Sequence, residues 1–126
     1  MEIFMSKHIQ ISNPKTGERV ELEQFVEFLN EKLYEDVAKR HPILVKDGPY
    51  EVATAEPGKK YIKIWVTKQS ATSNYQKSIY CFLDFDGNIY KAATWRAPAK
   101  HIRGSIFDPN MSWGKSLNSY GAVYLR

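Results

Sequence analysis

The chain has 126 residues, a net charge of +4, 43% hydrophobic residues and 25% charged residues. That length gives one domain, residues 1–126, long enough to bury a core without staples. With a lone cysteine, Cys81, an intramolecular disulfide is excluded; no apolar run nears membrane-spanning length, and from MEIFMSKHIQ no secretory signal is expected.

The modest net charge conceals segregation. Residues 21–58 hold four Lys/Arg against nine Asp/Glu, whereas residues 59–126 hold eleven Lys/Arg against three Asp. A basic surface on the second half, suited to an anionic partner, is one consequence. An acidic helix beside a basic sheet is the plainer one.

In chain order, residues 8–12 (HIQIS) alternate and predict a short strand, and NPKTGE predicts a turn. From about Glu21 to Arg40, Leu22, Phe25, Val26, Leu29, Leu33 and Val37 recur at spacings of three and four. They share one face of a helix. Acids lead it, Lys39-Arg40 close it, and His41-Pro42 stops it, because a residue before proline avoids helical angles. Ile43–Val45 is a short apolar run and Asp47-Gly48-Pro49 a turn. Residues 50–54 read as a strand closed by Glu56-Pro57-Gly58, and residues 61–68 (YIKIWVTK) alternate cleanly. After the polar loop QSATSN, residues 77–85 form a strong strand with 89–94 as its hairpin partner. Residues 95–121 are rich in Pro, Gly, Ser and Asn and predict long loops around Ser105-Ile106-Phe107, before a closing strand at 122–125. The expected class is α+β: an antiparallel sheet of four to five strands with the helix of residues 21–40 on one face.

CFLDFDGNIY raises the question of catalysis. An apolar strand running into Asp84-Phe85-Asp86-Gly87 looks like the nucleophile loop of a haloacid-dehalogenase-type phosphatase. Such an enzyme needs further parallel strands, a Lys, and a second acidic cluster for magnesium. Only 42 residues follow Asp84, and Asp108 is the sole acid after Asp86. Each added parallel strand needs a crossover of roughly a dozen residues. Asp-Gly between apolar strands predicts a hairpin instead. A small phosphatase remains a remote alternative. Gly114-Lys115-Ser116 lacks the first glycine of a P-loop, since position 109 is Pro109. His8, His41 and His101 lie too far apart for ligand spacing. No catalytic residue, metal or cofactor is expected.

Alternation sorts the strands into faces. Ile62, Ile64 and Val66, with Ile79, Cys81, Leu83 and Phe85, should face the helix. Tyr61, Lys63, Trp65, Tyr80, Phe82 and, if Asp86-Gly87 is a two-residue turn, Lys91 opposite Phe82 should form the other face. Aromatic rings interleaved with lysines suit single-stranded nucleic acid: bases stack and ammonium groups meet phosphates. The plainer use of the same face is a second, smaller core, covered by Trp95, Phe107 and Trp113. Next comes WRAPAKHIRG, residues 95–104, where Trp95, Arg96, Lys100, His101 and Arg103 make a stiff basic loop able to fork onto phosphate oxygens.

DGNIYKAATWRAPAKHIRGSIFD, with the terminal YGAVYLR, resembles a small protein family often encoded by tailed bacteriophages. Its members carry a similar Gly-Asp-x-Tyr-Lys-Ala-Ala-x-Trp-x-x-Pro-Ala-Lys-x-x-Arg-Gly core. The resemblance covers roughly residues 60–126 and does not reach the helix. It implies a phage setting and the host cytoplasm, and it points to no particular activity, since none is established for such proteins. The expected function is a non-enzymatic accessory protein that binds nucleic acid or a nucleotide. The alternative is an inhibitor that binds a host protein, with the same aromatics as anchors.

Overall fold

The computed structural model describes residues 9–45, 50–69 and 75–123. The Asp47-Gly48-Pro49 turn, most of the QSATSN loop and the last residues of the closing strand lie outside them.

Strands β1 (Gln10–Ser12) and β2 (Arg19–Glu21) form a small hairpin that leads into helix α1 (Leu22–Arg40). The backbone N–H of Glu21 donates to Gln24 Oε1 at 2.9 Å, which fixes the helix start. His41, before Pro42, ends it with φ −141°, and residues Pro42–Val45 make one turn of 3₁₀ helix. Then come β3 (Glu51–Pro57), β4 (Tyr61–Gln69), β5 (Tyr75–Asp84), β6 (Asn88–Ala92) and β7 (Pro98–Ser105). They make one antiparallel sheet in the order β3-β4-β5-β6-β7. A last small hairpin, β8 (Leu117–Asn118) and β9 (Gly121–Ala122), packs beside β5 and β6.

The predicted α+β class is the observed one. Leu22, Phe25, Leu29, Leu33 and Val37 are buried along one side of α1. The first four meet Ile62, Ile64, Val66, Cys81, Leu83 and Ile89 of the sheet, with Ile106, Leu117 and Ala122 closing the end. Truncating a fully buried member such as Leu29 to Ala costs about 2–5 kcal/mol. Asn30 ties the helix to the sheet edge: its Oδ1 accepts from the Ala53 N–H at 2.7 Å and its Nδ2 donates to the Ala53 carbonyl at 3.1 Å.

Three expectations change. First, the pairing of β4 with β5 slips by one between Ile64↔Cys81 and Trp65↔Ile79. Tyr80 is the extra residue, a β-bulge. It turns into the core, 6% exposed, and its hydroxyl donates to the Asn118 carbonyl. Ile79 consequently leaves the helix-facing side. Second, the β5–β6 connection is the three-residue loop Phe85-Asp86-Gly87, with Gly87 at φ +90°. A two-residue turn would set Lys91 against Phe82; the longer loop sets Tyr90 there instead. Third, residues 98–105 are an edge strand, not loop. Pro98 and Gly104 weaken a strand in isolation, but proline is tolerated at the start of an edge strand.

Candidate functional site

Register places residues on the outer face, away from α1, in rows across the sheet. Glu56, Lys63, Phe82, Tyr90 and Ile102 pair in succession from β3 to β7. Thr54, Trp65 and Ile79 form the next row, and Val52, Thr67 and Lys77 the one beyond. The bulge decides which lysine arrives. With unbroken register Ser78 would sit opposite Thr67; the slip brings Lys77 there, beside Trp65.

One end of this face is closed. Phe82 is 1% exposed, and the Tyr61 ring stands edge-on to Phe82 at 6.2 Å and to Tyr90 at 5.6 Å. Beside them Asp84 organises the hairpin. Its Oδ1 accepts from the Asp86 and Asn88 N–H groups at 3.0 and 2.9 Å; its Oδ2 accepts from Asn88 Nδ2 and the Tyr90 hydroxyl, both at 2.9 Å. With both oxygens so occupied, Asp84 is a turn-forming carboxylate, in line with the hairpin reading of the motif. Burial and the bond to Asp84 push the Tyr90 hydroxyl up to about 12.

The other end is open and basic. Lys77 Nζ lies 4.4 Å from the centroid of the Trp65 ring, and Lys63 Nζ lies 5.8 Å from it. The same Lys63 Nζ is 4.9 Å from the Trp95 ring, and the Arg96 guanidinium is also 4.9 Å from Trp95. Cations and indoles thus alternate: Lys77, Trp65, Lys63, Trp95, Arg96. Each such contact contributes about 0.5–1 kcal/mol at an exposed site. Together they hold three positive heads without neutralising them. Glu56 Oε1 accepts from Trp65 Nε1 at 2.8 Å and fixes that indole. The 93–97 loop aims Trp95 at Lys63. Thr94 Oγ1 accepts from the N–H groups of Arg96 and Ala97 at 3.1 and 3.2 Å, and the Ala93 N–H donates to the Ala97 carbonyl at 3.0 Å. Trp95 remains 55% exposed.

Of the expected site residues, Lys63, Trp65, Trp95 and Arg96 come together. Tyr61 borders them at the closed end, and Lys100 and His101 are exposed on β7. The others do different work. Tyr80 and Phe82 are buried. Lys91 Nζ donates to the Ala122 carbonyl at 3.3 Å, and Arg103 donates from Nε to the Val123 carbonyl and from a terminal nitrogen to the His101 carbonyl, both at 2.9 Å. Phe107 and Trp113 pack on the helix-side core and not over the outer face. Sequence reasoning passed over Lys77 and Glu56. Lys77 reaches the site only through the bulge at Tyr80, which strict alternation does not reveal. Glu56 sits in a turn-like Glu-Pro-Gly run that extends β3 instead.

Among the described residues no helix is long and apolar enough to cross a membrane, and no three His, Cys, Asp or Glu side chains gather as a metal site requires. No curated protein and no solved structure matches the chain. A family model does match, over residues 5–117, which take in the helix, all five strands of the main sheet and every residue of the cation–indole row. The chain belongs to DUF7717, a family of unknown function.

Proposed function

We propose that the chain is a non-enzymatic binding protein whose outer sheet face engages nucleic acid or a nucleotide. The observation that carries this reading is the row Lys77, Trp65, Lys63, Trp95, Arg96, with three cations held on two indoles. Phosphate oxygens meet the cations first. Stacking follows where a lysine or arginine swings aside and yields its ring to a base, an exchange of one π-contact for another. The open, shallow face suits a single strand, whose bases are free to turn toward protein. The resemblance of residues 60–126 to phage-encoded proteins supports an accessory role during infection, in the host cytoplasm.

A second reading has its own support. Ile102 is 51% exposed on the same face and offers nothing to a phosphate. With Trp95 it suits an anchor pair for a host protein. Fluorescence separates the two. Titration with an oligothymidylate of about ten nucleotides at low salt should quench Trp65 and Trp95, and Trp65→Ala should weaken binding by about 1–3 kcal/mol while the fold melts cooperatively. A wild-type protein that binds neither oligonucleotide nor nucleotide at low salt ends the nucleic-acid reading and favours the protein partner.

A further inference from the structure

The opposite edge of the sheet carries a different surface. A groove of about 600 Å³ runs between the first half of α1 and β3. Leu22, Val26, Ala53, Ala55 and Pro57 make its walls apolar, and Glu23 and Glu27 stand on its rim. Both acids are exposed and lie one helical turn apart.

The backbone of β3 adds a directional element. In an antiparallel pair, successive residues point their N–H and C=O alternately toward the partner strand and away from it. Ala53 points away from β4, because both its groups bond Asn30. The β3–β4 register is unbroken from Glu51 to Pro57, so Ala55 points away as well. Among the described residues no side chain or loop backbone group bonds Ala55. Its N–H and C=O therefore face out along an apolar groove, with Asn30 blocking the edge on one side and Pro57, which has no N–H, on the other. An unpaired strand edge is a template for another strand.

We propose that this groove docks a short, extended peptide segment of a partner protein, apolar at its centre and basic at its ends. The Ala55 N–H and C=O pair with one residue of the segment. Apolar side chains fill the space beside Val26 and Leu22, and a flanking Lys or Arg meets Glu23 and Glu27. This site is acidic and lies away from the cation–indole row, so the proposal stands independently of nucleic-acid binding.

The test uses the full chain and a fluorescein-labelled, amidated peptide, Lys-Val-Ile-Val-Lys, read by anisotropy. The expected Kd is on the order of 10–100 µM, with Glu-Val-Ile-Val-Glu binding at least roughly tenfold more weakly. Ala55→Pro removes a donor that the β3–β4 ladder does not use, so circular dichroism and Tm should hold while Kd rises roughly tenfold. The Glu23→Lys, Glu27→Lys double variant should reverse the preference between the two peptides. Equal binding of both peptides, or no response to either variant, overturns the proposal. Two other occupants also overturn it: tighter peptide binding on Phe4→Asp would assign the groove to the chain's own N-terminus, and dimerisation abolished by the double variant would assign it to a second copy.

Discussion

Tyr90 and Glu51 show how single residues carry the balance between the two faces. The Tyr90 hydroxyl, raised to about 12 from an ordinary 10, is held neutral by burial and by its bond to Asp84. A folded-state value above the unfolded one gives stability that is complete below pH 10 and lost as pH rises toward 12. The stability difference between wild type and Tyr90→Phe, from urea midpoints, should therefore shrink across that window. Glu51, on edge strand β3, is 6% exposed, and burial raises its carboxyl above the ordinary value of 4.5 although Lys68 and Arg40 pull it back. Its neutral form is the one the fold favours. Stability from this group is present below about pH 4.5 and lost as pH rises through the higher folded value. Glu51→Gln should raise Tm at pH 7, and the gain should vanish below pH 4.5. An unchanged Tm at pH 7 would mean that Lys68 and Arg40 fully offset the burial.

At the scale of elements, the helix-to-edge bond through Asn30 is the most informative. Asn30→Ala strips both polar groups of Ala53 of their partner at a part-buried position. Thermal or urea unfolding should show a loss of about 1–3 kcal/mol. Nothing in the sequence marks Asn30 out: it is one polar residue in an amphipathic helix, and its partner is 23 positions away. The helix itself was legible, because six apolar residues at spacings of three and four leave only one face to bury. The strands at 61–69 and 75–84 were legible for the same reason at period two. Register was not. A single extra residue at Tyr80 and a three-residue loop in place of two each reverse the facing of everything beyond them. Both changes leave the apolar pattern intact: Ile79, Tyr80 and Cys81 fit either side of a sheet. Strand β7 was hidden by its own composition, since Pro98 and Gly104 signal loop unless β6 supplies the pairing.

For the molecule as a whole, charge segregation along the chain becomes segregation in space. The acids of α1 rim the groove beside β3, and cations of the second half gather over two indoles on the sheet's outer face. Four of the five residues in the cation–indole row were legible, because Lys63 and Trp65 alternate on one strand and Trp95-Arg96 stand together in sequence. The rest of the expected site depended on where chain reversals carry Lys91 and Arg103, which spend their charge on backbone carbonyls. The central claim is that the cation–indole row meets phosphates. It is tested most directly by the salt dependence of oligothymidylate binding to wild type and to a Lys63→Ala, Lys77→Ala, Arg96→Ala variant. Lys77 and Arg96 are exposed and Lys63 is half-buried on the outer face, away from the helix-side core, so the variant should fold. Its log–log salt slope should be shallower than that of wild type by about 2, at roughly 0.7 for each single-strand phosphate that the variant leaves unneutralised. Equal slopes for the two proteins, or no binding by either at low salt, would contradict the claim.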